Sequence, residues 1–249
     1  MTGELVFVRH GQSTWNELNL FTGWRDVPLT PRGADEARTA GRLLAEAGMT
    51  FDVAHTSVLT RAVQTANLTF EELGQPWLPV ERSWRLNERH YGALQGKNKK
   101  ETAQTYGAEQ THLWRRSYDV PPPPVERSSP DHPCNDARYR LLAPDALPAT
   151  ECLKDVLARV LPYWHDAIVP QLRAELAVIV VAHGNSLRAL VKHLEDIGDD
   201  EIAGLDIPTG VPRRYRLDAD LRPTAAEYLG DPADIATRAA AVAAQAGTR

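Results

Sequence analysis

Two runs of consecutive apolar residues stand out along the chain: Leu5-Val6-Phe7-Val8 and Val178-Ile179-Val180-Val181-Ala182. Unbroken, largely β-branched runs of this length are the pattern of strands covered on both faces. Phe51 to Thr56 reads as a further strand. Between them the spacing turns helical. Thr30-Pro31 opens a helix, because threonine caps and proline fits a first turn. Ala34, Ala37, Leu43 and Leu44 share one face of it, and Gly48 ends it. Ser57 is placed to cap the next helix, with Arg61 near its first turn. Residues 79–96 read as short extended pieces around Trp84, Leu86 and Tyr91. Lys99 to Tyr118 reads as helix, broken at Gly107. Thr150 begins a helix that Pro162 kinks and Pro170 ends. A helix from Ser186 to about Glu195 follows the strand at 177–182. Arg213–Leu217 and Ala226–Leu229 look like short strands, and the alanine-rich tail, 231–249, has high helix propensity or is mobile. Pro121 to Pro124 cannot be helical, so 119–148 is expected to be a surface excursion and not a boundary, since regular patterns resume after it. Strands alternating with helices predict an α/β fold: a three-layer arrangement of a mainly parallel sheet with helices on both faces, in one domain spanning 1–249.

Bulk properties narrow the setting. A chain of 249 residues buries a sizeable core without disulfide staples. Its two cysteines, Cys134 and Cys152, lack metal-ligand spacing, and no stretch is long and apolar enough to span a bilayer. The first residues lack the basic-then-apolar pattern of a signal peptide, so a cytoplasmic protein without membrane partners is expected. A net charge of −5 argues against a broad nucleic-acid-binding surface, so cations at a site would be local and specific.

Candidate chemistry sits at the ends of the two apolar runs. One continues into Arg9-His10-Gly11, the other into His183-Gly184-Asn185-Ser186. The carboxyl ends of strands are where open α/β sheets place ligands. An imidazole, a cation and a bare backbone there suit an anion that reacts with the ring. Taken singly, His10 and His183 would be satisfied core histidines, and Arg9 and Arg61 surface ion pairs; the combination favours a site.

The segments LVFVRHGQSTWN (Leu5–Asn16), FTGWRDVPLT (Phe21–Thr30), TSVLTRAVQT (Thr56–Thr65), LNERHYGALQG (Leu86–Gly96), WRRSYDVPPPP (Trp114–Pro124), AHGNSLRALVK (Ala182–Lys192) and IPTGVP (Ile207–Pro212) occur in that order over nearly the whole chain. In them the sequence resembles the histidine phosphatase superfamily, and within it the 2,3-bisphosphoglycerate-dependent phosphoglycerate mutases. The departures are Gln12 in place of a usual glutamate, CNDAR at 134–138 in place of GHDPR, and Cys152 in place of a serine.

The resemblance implies a phosphoglycerate mutase-like fold and interconversion of 3-phosphoglycerate and 2-phosphoglycerate in glycolysis and gluconeogenesis, primed by 2,3-bisphosphoglycerate. It implies that His10 is the nucleophile and Glu88 the proton-transfer group, with Arg9, Arg61 and His183 stabilising the transferring phosphoryl group. Asn16, Gly184 and Asn185 would add donors. Lys99, Arg115 and Arg116, with Tyr91, would hold the substrate's carboxylate or distal phosphate. Thr22 and Gly23 would touch substrate, as would Ser13 more weakly. Read alone, Glu88 has the lesser alternative of a partner for Arg85 or Arg89, Arg115-Arg116 reads as an exposed helix face, and His90 as a structural residue. No metal is expected, because flanking arginines repel a dication and no HExxH or HxxxH helix is present. Family members are often dimers or tetramers, so a homo-oligomer is expected. A phosphatase on the same fold and a non-catalytic phosphate-binding module are the competing readings.

Overall fold

The computed structural model describes residues 3–244. The chain runs through β1 (Glu4–Arg9), α1 (Thr14–Glu17), α2 (Pro31–Glu46), β2 (Val53–Thr56), α3 (Thr60–Glu72), β3 (Val80–Arg82), α4 (Lys99–Tyr106) and α5 (Ala108–Arg116). It continues through α6 (Leu153–Tyr163), α7 (Val169–Arg173), β4 (Val178–Ala182), α8 (Gly184–Glu195), β5 (Pro212–Leu217), β6 (Pro223–Tyr228) and α9 (Pro232–Ala243). The six strands form one sheet in the order β3-β2-β4-β1-β5-β6. The first four run parallel, whereas β5 and β6 pair antiparallel at one edge, so the sheet is mainly parallel as expected.

The central strands are buried on both faces, which is why they lack polar alternation. Leu5, Phe7, Val178 and Val180 point to one side, against Val156 and Val160 of α6 and Leu187 and Val191 of α8. Val6, Val8, Ile179 and Val181 point to the other, against Ala40 and Leu44 of α2 and Ala66 and Phe70 of α3. Each such side chain stabilises the fold by roughly 1.5–3 kcal/mol. Register then places the chemistry. Arg9 pairs with Ala182, and the His10 amide donates to the Ala182 carbonyl at 2.9 Å. The residues one step further, His10 and His183, therefore leave the sheet side by side.

Several local expectations give way to stronger constraints. Ser57 does not cap α3, whose N-cap is Leu59. Asp26 takes that role from a distant loop, accepting from the Thr60 amide at 2.7 Å and its hydroxyl at 2.6 Å. After β3 the stretch to Gln95 is not extended but coiled into two 3₁₀ turns, Trp84–Leu86 and Gly92–Leu94. Ser83 starts the first by accepting from the Arg85 amide, and Gly92 opens the second at φ +55°. The helix expected from Thr150 begins at Leu153, and Pro170 does not end it. Pro170 offers no N–H to the Asp166 carbonyl, and a π-helical turn over Trp164–Ile168 carries the chain past it into α7. The excursion 119–148 contains three 3₁₀ turns and is anchored by the buried Tyr139, whose hydroxyl accepts from Asn87 Nδ2 at 2.9 Å. Of the expected tail, the residues up to Ala243 form α9, and 245–249 lie outside the described residues. Among the described residues no helix is long and apolar enough to cross a membrane.

Candidate active site

A cleft of about 650 Å³ opens at the carboxyl ends of β1 and β4, and almost every residue singled out from sequence lines it: Arg9, His10, Asn16, Thr22, Gly23, Arg61, Glu88, Tyr91, Lys99, Arg115, Arg116, Gly184 and Asn185. His183 lies directly behind the lining, its ring centroid 4.9 Å from that of His10 in an edge-on arrangement. Ser13 is not brought to the cleft. It is fully buried at the start of α1, and its hydroxyl donates to Asn16 Oδ1 and accepts from the Asn16 amide. Ser13 thus holds Asn16 by its Oδ1 and leaves Nδ2 without a partner among the described residues. Gln12 also faces away, its Oε1 accepting from the Thr30 hydroxyl at 2.9 Å.

The His10 Nδ1–H donates to the Gly11 carbonyl at 2.7 Å, so the lone pair is on Nε2, which has no partner among the described residues. Burial, followed by the Arg61 and Arg9 guanidinium groups, holds the ring well below the usual imidazole range, and it is neutral. The same causes, burial first and then Arg61, keep His183 neutral. Its Nε2 shares a 2.7 Å hydrogen bond with Ser57 Oγ, while its Nδ1 is buried without a partner.

Backbone carbonyls aim the flanking arginines. Arg61 donates to the carbonyls of Gly23 at 2.8 Å and Arg25 at 3.0 Å, and burial pushes it down to about 10. Gly23 needs its φ of +55°, and any Cβ there would meet the Gln95 side chain. Arg9 donates Nη1 to the Ile207 carbonyl at 2.7 Å, and its Nε is buried without a partner, as is Thr22 Oγ1. Further along the cleft, burial and then Arg115 and Arg9 push the Lys99 ammonium down to about 7, and Arg115 is lowered to about 10. Arg116 pairs with Asp206 at 2.6 Å. So many cations in one concavity, Arg9, Arg61, Lys99, Arg115 and Arg116, suit a polyanion.

Glu88 is nine-tenths buried and pairs with neither Arg85 nor Arg89. Arg85 donates to the Arg159 carbonyl, and Arg89 to Tyr91 Oη and the Arg115 carbonyl. Instead, Oε1 of Glu88 accepts three hydrogen bonds: from the Arg89 amide at 2.7 Å, the Asn185 amide at 3.1 Å and Asn185 Nδ2 at 2.8 Å. Oε2 accepts none among the described residues. The carboxylate's backbone is gripped from behind. Arg159 forms a buried pair with Glu151 at 2.6 Å and donates to the carbonyls of Asn87 and Glu88, both at 2.9 Å. His90, pushed down to about 4 by burial, is a strut: Nδ1 accepts from the Gly92 amide.

A sequence model of the histidine phosphatase superfamily (branch 1) matches residues 5–132 and 130–220. The chain is 59% identical over 245 residues to a 2,3-bisphosphoglycerate-dependent phosphoglycerate mutase of Nitratidesulfovibrio vulgaris, covering 98% of each chain. It is 60% identical over 230 residues to the protein of the same name from Thermobifida fusca, covering 92% of this chain and 93% of that one. The chain belongs to the phosphoglycerate mutases of the histidine phosphatase superfamily. Solved structures agree on the fold of this family. A mycobacterial glucosyl-3-phosphoglycerate phosphatase superposes with a TM-score of 0.68 at 22% identity, covering 91% of this chain and 97% of its own. An Escherichia coli α-ribazole-5′-phosphate phosphatase, described as putative, gives 0.66 at 23% identity, covering 93% and 97%.

For a member of this family, Arg188, Asp206, Leu20 and Ile207, which line the cleft, and Ser57, which supports His183, escaped the sequence reading, while Val242 brings α9 to the wall. Arg188 had a signal, since it lies one helical turn beyond Asn185 on the same face. Ser57 had one too, but following a strand it reads first as a cap. The excursion 119–148 contributes no residue to the cleft lining.

Proposed function

We propose that the chain interconverts 3-phosphoglycerate and 2-phosphoglycerate through a phosphohistidine at His10, primed by 2,3-bisphosphoglycerate. This is the activity for which its two relatives are named. The observation that carries the reading is a second cationic group, Lys99, Arg115 and Arg116, in the same cleft as the His10 nucleophile. A phosphatase needs to hold one phosphate, whereas a mutase must grip a ligand charged at both ends. The residues fit a bisphosphate: Arg9 Nε, Thr22 Oγ1 and His183 Nδ1 are buried donors without partners, which a polyanion would satisfy. When bound, 2,3-bisphosphoglycerate supplies the phosphoryl group that primes His10.

The protein's own groups do the rest. His10 presents Nε2 to phosphorus while its Nδ1 proton stays on the Gly11 carbonyl. Ser57 donates to Nε2 of His183, so Nδ1 carries the proton and donates to a phosphoryl oxygen. Arg9 and Arg61 add charge-assisted donors where negative charge spreads in the transition state. Oε2 of Glu88 takes the proton of the attacking hydroxyl and returns it to the leaving oxygen, a step of ~10²–10⁴-fold. Lys99, Arg115 and Arg116 hold the far end. Val242 of α9 stands at the cleft wall, where it shields the cleft from water. Cutting after Gly230 should raise hydrolysis of the phosphoenzyme relative to mutase turnover, and an unchanged ratio removes the tail from that role.

We read the chain as one metal-independent, cytoplasmic, homo-oligomeric unit acting on small molecules. The crowd of arginines supports metal independence, because it disfavours a dication. Turnover of 3-phosphoglycerate, measured with chelator present and the bisphosphate added or withheld, tests the proposal. Strong stimulation that survives the chelator is expected. Release of phosphate without 2-phosphoglycerate would make the protein a phosphatase and withdraw the roles of Lys99, Arg115 and Arg116.

A further inference from the structure

Arg188 lies on α8 one turn after Asn185 and is 4% exposed. Its Nη1 donates to Asn185 Oδ1 at 2.9 Å. Its Nη2 donates to the carbonyls of Ile202 at 2.6 Å and Arg116 at 3.3 Å, which fixes the guanidinium from two directions. Burial pushes Arg188 down to about 9, so the group remains a cation at neutral pH.

The consequence falls on Asn185. A carboxamide has one acceptor end and one donor end, nearly equal in shape. A guanidinium only donates, so it selects the oxygen. With the oxygen held by Arg188, the Asn185 nitrogen must face Oε1 of Glu88, where it donates at 2.8 Å. Flipped, the amide would set its oxygen against a carboxylate oxygen. The order guanidinium, amide, carboxylate thus has one allowed polarity. It loads Oε1 with three donors and leaves Oε2 as the atom for proton transfer.

We infer that Arg188 is a positioning residue for proton transfer, acting through the Asn185 amide to fix which oxygen of Glu88 meets the substrate hydroxyl. The inference rests on the mutase reading and on the role of Glu88 within it. Other cations face Glu88 as well: Arg9 from β1, Arg61 from α3 and Lys99 from α4. None of them touches the Asn185 oxygen, and none replaces this effect.

The test separates proton transfer from binding and folding by choice of leaving group. Phosphorylation of His10 by p-nitrophenyl phosphate expels a phenolate that needs no protonation, whereas mutase turnover expels or activates an alkoxide. Arg188→Met should lower mutase kcat about ten- to hundredfold with KM for 3-phosphoglycerate within about threefold, while the single-turnover release of p-nitrophenolate that accompanies phosphorylation of His10 stays within about threefold. Equal loss of both activities makes Arg188 a structural residue, and a rise in KM with kcat intact makes it a substrate ligand. Either result overturns the inference. The same split at smaller amplitude is expected of Arg188→Lys, which keeps the charge but not the fork, and it carries the test if the methionine variant does not fold. Glu88→Gln, measured alongside, addresses the underlying reading. If it retains full turnover, Glu88 is not the proton carrier and both ideas fall. If it is inactive while Arg188→Met is fully active, the inference alone falls.

Discussion

The molecule contains the same junction twice, and the two copies have diverged in chemistry. Each is a buried parallel strand ending in histidine and glycine, and register brings the two imidazoles to 4.9 Å. Yet His10 has its Nδ1 tied to the next carbonyl and its Nε2 open, whereas His183 has its Nε2 tied to Ser57 and its Nδ1 open. Their backbones differ too. After His10 the chain turns away into a loop, while His183 is the N-cap of α8. One ring thereby leaves Nε2 open, and the other leaves Nδ1 open at a helix N-terminus, where an anion is favoured. A histidine's role is set by which nitrogen its neighbours consume, not by its motif.

Exchanging each imidazole for a methyl group breaks the comparison most severely. His10→Ala should lose more than about 10⁴-fold in turnover and form no acid-labile phosphoenzyme. His183→Ala should lose about 10²–10³-fold and still accept a phosphoryl group on His10. Loss of the phosphoenzyme in both would erase the asymmetry.

The two glycines give the next contrast. A Cβ on Gly11 would lie 2.1 Å from the Gly33 carbonyl oxygen, a backbone atom that cannot yield. A Cβ on Gly184 meets only the Arg9 guanidinium, at 3.4 Å. Gly11→Ala should cost about 3 kcal/mol and lower Tm by roughly 10 °C. Gly184→Ala should leave Tm within about 2 °C and raise KM about threefold by nudging Arg9.

Acid treats the two rings alike. Both are held neutral in the folded protein, as are His55 and His90, with burial the first cause in each. Unfolding lets each titrate near 6.5, so the unfolded state binds more protons and stability falls as pH drops below that value. For His90 the loss is complete near its folded value of about 4 and amounts to roughly 3 kcal/mol. Chemical denaturation between pH 7.5 and 4.5 should show this decline, and a flat profile would mean the rings titrate in the folded state as they do in the unfolded chain. The mildest perturbation is Ser57→Ala, which frees Nε2 of His183 and the Leu59 amide. It should cut kcat about tenfold and leave KM and Tm nearly unchanged.

The strands and their junctions were legible because unbroken apolar runs and strand-end histidines are local signals. The cleft lining was legible wherever a family motif named the residue, from Arg9 to Asn185. Ser13 misled because a serine beside a catalytic loop looks like a donor, although its hydroxyl is consumed by the α1 cap. Arg159 and Glu151 were invisible, since one lies within the helix expected from Thr150 and the other beside its start. Their grip on Glu88 exists only once α6 packs behind it. Asp26 illustrates the same limit, capping α3 from a loop 34 residues earlier in the chain.

The position of β1 also governs when the protein becomes itself. β1 is a central strand, and its neighbours, β4 and β5, lie in the last third of the sequence. Until those arrive, the Leu5–Val8 run has no native partner and stays available to chaperones or to the same run of another nascent chain. Such long-range closure makes for slow, late folding. It also means that His10 and His183 meet only in a nearly finished polypeptide, so synthesis interrupted before β4 yields no half-active phosphohistidine fragment.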